Sequence, residues 1–174
     1  PRVCAQAPRR VNVLSRVTIG ADIAVTSVLL DAAKRRFPEA EICFVGPRKN
    51  WELFAGDPRV LLHESPYARS GLLADRIAAK PDLDLPDSIV IDPDSRLSQL
   101  GVLPVCPDEN YYFFESRSYG GDSTETLSRL TSRWASETFG IADAKPWIAL
   151  ADASSRAHAA AVSLGVGENP AKSF

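Results

Sequence analysis

The sequence predicts an α/β fold: a doubly wound, mainly parallel sheet flanked by helices. Three observations carry that prediction. Short runs of β-branched and aliphatic residues recur, as in EICFV at 41–45 and SIVI at 88–91. Longer stretches with apolar residues three and four apart lie between them, the spacing of a helix that buries one face. The strand-like runs are almost wholly apolar, as strands covered on both faces of a parallel sheet must be.

The elements follow in order. VNVLSRVTI, from Val11 to Ile19, reads as a strand that Gly20 breaks. A helix follows, with Ile23, Ala24, Val28, Leu29 and Ala32 inward and Asp31, Lys34, Arg35 and Arg36 outward. Asp22 stands where an N-cap would, and Pro38 stops the helix. The strand at 41–45 completes a β-α-β unit. Next come a helical turn at 51–54, a strand at 59–63, a helix at 71–79 and the strand at 88–91. Shorter strand candidates lie at 102–105 and 111–114. A last helix spans 123–139, with a capping box of Asp122 and Glu125 at its start and Gly140 as its stop. The alternation is that of a Rossmann-like domain over residues 1–150. The small, polar 151–158 stretch (ADASSRAH) suits a linker, and AAAVSL with its glycine-rich sequel at 159–174 resembles the opening strand and turn of a second such domain.

With 174 residues, 45% apolar and 24% charged, the chain has the make-up of a globular protein with one well-buried core. A net charge of −2 argues against a general nucleic-acid-binding surface. Cys4, Cys43 and Cys106 are widely spaced, and only two histidines, His63 and His158, could assist them. A reduced, metal-free protein is expected. No apolar run is long enough for a membrane span, and PRVCAQAPRR lacks the core of a signal peptide, so a cytoplasmic location is expected. Methionine is absent, which reads as a processed or trimmed chain.

The first strand-to-helix turn, TIGAD at 18–22, sits where an open parallel sheet places its ligand. It lacks the G-x-G-x-x-G fingerprint, and Cys43-Phe44-Val45-Gly46 stands where a nicotinamide enzyme would carry an acidic residue. A nicotinamide or methyl-donor enzyme is therefore disfavoured. The stretch RVTIGADIAVTSVLLDAAKRRFPEAEICFVG resembles the opening of glycosyltransferase family 9, the lipopolysaccharide heptosyltransferases. Three further stretches are similar to the family in the same order: W-x-x-F…DP at 51–58, DPDSR at 92–96 and SLGVGENPAKSF at 163–174. Two positions depart from its pattern. Ala21 intervenes between Gly20 and Asp22, and Val28 stands where the first helix usually has proline.

The resemblance implies the amino-terminal half of a GT-B architecture: acceptor on the first half, donor mainly on a second half that follows, and a fragment inactive by itself. It implies inverting transfer of a sugar from a nucleotide-diphosphate donor, ADP-heptose in the family, to a cell-envelope glycan or glycolipid, with room for peripheral contact at the inner membrane. The nucleotide sugar is a co-substrate; no other cofactor and no metal is implied. Asp22 would be the general base, its pKa lowered by a helix N-terminus. As a favoured cap residue it could equally be structural. Arg16, Gly20, Thr26 and Arg96 would hold the acceptor, with Arg48 and Lys49 as further cations near strand ends. Lys172 would neutralise the diphosphate, beside backbone N–H groups around Gly165, Gly167 and Asn169, although a lysine there could simply be solvated. The aromatic run at 111–114 reads as core, and His63 and His158 receive no role. The competing reading is a non-catalytic α/β binding or regulatory domain, since fold alone does not separate the two.

Overall fold

A computed structural model describes residues 7–67 and 72–152. Five strands form one sheet: β1 (Arg10–Leu14), β2 (Glu41–Gly46), β3 (Val60–Glu64), β4 (Ser88–Asp92) and β5 (Tyr111–Phe113). Their order is β3-β2-β1-β4-β5, with every neighbouring pair parallel. The expected Rossmann-like parallel sheet is present. Helices α1 (Ile19–Ala21), α2 (Ser27–Arg36), α3 (Arg48–Trp51), α4 (Leu73–Ala78) and α5 (Leu127–Phe139) lie along the connections.

Strand alternation sorts the core into two layers. Val11 and Val13 of β1, Ile42 and Phe44 of β2, and Ile89 and Ile91 of β4 join Val28, Leu29 and Ala32 of α2 and Trp134 and Ala135 of α5 in the larger cluster. Leu14, Val45 and Val90 point to the other side and meet Leu83, Leu97 and Val105. Central β1 is therefore covered on both faces, which is why its sequence is nearly continuous apolar. The exception is Asn12. It is fully buried on the second side, and neither polar atom of its amide has a hydrogen-bond partner.

Several boundaries differ from the sequence reading. The first strand ends at Leu14, not Ile19, because residues 15–18 turn away to begin a helix that contains Gly20 instead of being preceded by it. Residues 102–105 form no strand; they belong to an irregular connection after β4, whose apolar members bury Val105 beneath the sheet. The Asp122–Glu125 capping box does not form. Helix α5 starts at Leu127, capped by Thr126, whose hydroxyl accepts the Arg129 N–H at 3.4 Å. Glu125 is drawn instead to the guanidinium groups of Arg129 and Arg133. Gly140 does end the helix, in the left-handed conformation that an αL cap requires.

The segment after α5 returns across the larger layer. Trp147 donates its indole N–H to the Ser27 carbonyl at 2.8 Å, packs on Phe54 and lies under the Lys34 ammonium, 3.7 Å from the ring centre. Two backbone hydrogen bonds, Ala149 N–H to Leu53 O and Gly56 N–H to Ala149 O, secure it.

Candidate functional site

From β1 the chain winds through β2 to β3, then crosses back to β4 on the other side of β1. The connections after β1 and β4 therefore lie on opposite sides of the point where the strand order reverses, the usual ligand position at the carboxyl edge in such folds. Ser15, Arg16 and Val17 follow β1, Asp94 and Ser95 follow β4, and Ser116 and Arg117 follow β5. Val17 has φ +58° and Asp94 φ +64°. For a β-branched valine the left-handed region is a strained choice, and such strain gathers at sites that over-determine their backbone.

Asp22 is the hub. One carboxylate oxygen accepts from the Arg16 backbone N–H and the Thr26 hydroxyl, both at 2.7 Å. The other accepts from the Ser15 hydroxyl at 2.7 Å and the Asn50 amide at 2.5 Å. The side chain is fully buried, and with four donors its accepting positions are filled. Asp22 is not the N-cap expected from the sequence. Thr18 occupies that place in extended conformation, and the Asp22 N–H already bonds back to the Thr18 carbonyl at 2.8 Å. The expected lowering of its pKa is also reversed. Burial pushes the carboxyl up, and the bonds from Thr26, Asn50, Ser15 and Arg16 pull it down without cancelling that effect.

The helix carrying this hub is wider than an α-helix over a single turn, the π-helical segment Asp22–Thr26. Its cause is local. The Ser27 hydroxyl takes the Ile23 carbonyl at 2.5 Å, and the Ser27 N–H reaches one residue further back, to the carbonyl of Asp22. π-turns of this kind are frequent at functional sites.

Further carboxylates lie at the end of the neighbouring strand β4. Asp92, the last residue of β4, accepts from the Ser95 N–H at 2.7 Å and the Tyr111 hydroxyl at 2.6 Å. Burial raises its carboxyl, against the pull of these bonds and of Ser98. Ser95 donates its hydroxyl to the Ser15 carbonyl at 2.5 Å, linking the loops after β4 and β1. Asp94 pairs with Arg117 at 2.7 Å and accepts from Ser116 at 3.2 Å. The Arg16 guanidinium, half-buried, donates to the same Ser116 hydroxyl. Burial lowers the Arg16 pKa while Asp94 counters it; an arginine remains cationic through such a shift.

Of the residues singled out in sequence, Asp22, Arg16 and Thr26 come together in one hydrogen-bonded cluster. Gly20 lies one turn away on exposed helix, where an added Cβ would meet nothing within 4 Å. Arg96 is exposed on the loop after β4. Arg48 is paired with Glu64 at 2.9 Å and Lys49 faces outward on α3, so neither joins the cluster. Tyr112 and Phe114 are buried in the core, as expected, while Tyr111 and Phe113 stack on each other with half-exposed rings. Lys172, Gly165, Gly167, Asn169 and His158 fall outside the described residues. Asn50, Ser15, Ser95, Ser116 and Arg117 were not anticipated. Their roles depend on contacts between distant segments, and isolated polar residues in loops carry no pattern that announces them.

Among the described residues, no group of three or more His, Cys, Asp or Glu side chains is placed to hold a metal ion, and no helix is long and apolar enough to cross a membrane. No protein-family model, curated protein or solved structure matches the chain.

Proposed function

We propose that this chain is the acceptor-side half of an inverting, GT-B-type glycosyltransferase similar to family 9, acting with a donor-side half in which Lys172, Gly165 and Asn169 hold the diphosphate. The observation that carries the reading is a desolvated carboxylate, Asp22, beside a half-buried arginine, Arg16, at the switch point of a parallel sheet. In the reaction an acceptor hydroxyl attacks the anomeric carbon of a nucleotide-diphosphate sugar such as ADP-heptose. Its proton passes to Asp22, the new glycosidic C–O bond forms with inversion, and the old bond breaks with its electron pair leaving on the diphosphate. Burial makes Asp22 a better base than a solvated carboxylate. Arg16, Thr26 and Arg96 serve the acceptor, a cell-envelope glycan or glycolipid, in the cytoplasm at the inner membrane. For Asp22 to take that proton, the incoming hydroxyl must replace one of its four present donors; Ser15, Thr26 and Asn50, the three side chains among them, are the exchangeable ones.

One observation favours the second reading, a non-catalytic ligand-binding domain: those four bonds make Asp22 a complete structural tie. The test is transfer from a panel of nucleotide sugars by the chain joined to its donor-side half, comparing wild type with Asp22→Asn and checking folding by circular dichroism. A folded variant slowed by about 10²–10⁴-fold supports the base. A folded variant as fast as wild type removes Asp22 from the chemistry, and a wild type that transfers no sugar favours the binding domain.

A further inference from the structure

We propose that a pocket distinct from the Asp22 hub binds a phosphoryl group. It has a volume of about 180 Å³ and is lined by Tyr67 after β3, Asp75 and Arg76 of α4, and Arg96 and Leu97 after β4. The Arg76 Nε is buried and has no hydrogen-bond partner; among the described residues only the Asn12 amide shares that condition.

The other arginines supply the contrast. Arg9, Arg10, Arg35, Arg48, Arg117, Arg129 and Arg133 pair with carboxylates. Arg59 donates to the Lys34, Phe37 and Pro38 carbonyls, Arg16 to Ser116, and Arg36 lies over the Phe37 ring. Among the described residues, the two arginine side chains left without any such partner are Arg76 and Arg96, and both line this one pocket.

Asp75 also lines it, but its carboxylate is turned to its own helix start, accepting the Leu72 N–H at 3.2 Å. Two arginines that line one pocket, neither paired with a carboxylate, match a tetrahedral oxyanion, which offers three oxygens to N–H donors. A carboxylate has two oxygens and one charge, and leaves one arginine unanswered. The pocket is smaller than the roughly 300–1,000 Å³ of sites that enclose a whole small molecule. It therefore receives the phosphate of a phosphorylated ligand whose remainder lies outside. The inference shares Arg96 with the acceptor contacts of the transfer reading, but it concerns binding alone, and its test does not depend on transfer.

The experiment is a titration of the full chain with inorganic phosphate, and in parallel with acetate, followed by the arginine Nε–H signals in NMR spectra. Saturable movement of the Arg76 signal by phosphate, with acetate at least tenfold weaker, is expected. Arg96→Gln, a change at an exposed loop position, and Arg76→Gln should each weaken phosphate at least tenfold, and Arg133→Gln should leave it unchanged. Absence of a saturable shift overturns the proposal. So does phosphate binding that survives both pocket variants, or binding lost in Arg16→Gln instead, which would place the anion at the Asp22 hub. Acetate as tight as phosphate overturns the phosphoryl assignment.

Discussion

The Asn50 amide stands 2.5 Å from a carboxylate oxygen of Asp22, so the helix after β2 is bolted to the helix after β1 through a buried charge-bearing group. Asn50 is itself buried, and its amide is one of the four donors that satisfy the carboxylate.

Asn50→Asp puts a second carboxylate where the donor was. The two must then share a proton, because like charges at that distance cannot both ionise. We expect a loss of about 3 kcal/mol at pH 7, against about 1–2 kcal/mol for Asn50→Ala, which only removes the bond. A shared proton raises one folded-state carboxyl pKa above its unfolded value. The stability of Asn50→Asp is therefore best below the unfolded pKa and falls as pH rises through the folded one. Urea unfolding at pH 7 and pH 4.5 should show the Asp deficit narrowing towards the Ala deficit on acidification; equal deficits at both would show that no proton is shared.

Lys34 and Asp57 make the opposite case. They meet at 2.6 Å with 17% and 20% of their side chains exposed, and Lys34 also lies against Trp147. Burial pushes the Asp57 carboxyl up, but the Lys34 bond, the Arg59 N–H and the neighbouring positive charges outweigh it, and the pKa is lowered. A depressed acid contributes stability that is present above its unfolded pKa and lost as pH falls through the folded one. Partial exposure places the pair between surface and buried values, so Lys34→Met should cost about 2 kcal/mol at pH 7. Denaturant midpoints of wild type and variant should approach each other below about pH 3.9, the ordinary aspartate value. A gap that stays constant to pH 3 would assign the loss to the Trp147 contact alone.

The parallel sheet was legible in the sequence because its strands are short, apolar on both faces and separated by helix-length amphipathic stretches. EICFV and SIVI could hardly be anything else in a chain of this size. The site was legible only at its nearest-neighbour scale. Asp22, Thr26 and Arg16 lie within ten residues of each other, and the position of TIGAD after the first strand marks them together. Ser95 reaches Ser15 across 80 residues and Arg16 reaches Ser116 across 100, and no local periodicity encodes such pairs. The misplaced cap has a similar origin: Thr18 and Asp22 are both good cap residues four apart, and what decides between them is that Asp22 finds tertiary donors in Ser15 and Asn50. The π-turn depends on whether the Ser27 hydroxyl turns inward to the Ile23 carbonyl, which composition does not reveal.

Two glycines separate backbone need from functional need. Gly101 has φ +82°, and a Cβ there would lie 2.7 Å from the ring of Phe113. Gly101→Ala should therefore cost about 2–3 kcal/mol, the left-handed penalty plus displacement of the ring. Gly20 sits on exposed helix with open space around it, so Gly20→Ala should stabilise by about 0.5–1 kcal/mol through helix propensity. Thermal unfolding checks both signs. If the Gly20 backbone touches an acceptor, as the family resemblance implies, the same Gly20→Ala chain will be more stable yet show a raised acceptor KM with kcat little changed, because the new methyl group occupies ligand space. A more stable variant with unaltered KM would remove Gly20 from the acceptor site and leave its glycine without a binding role.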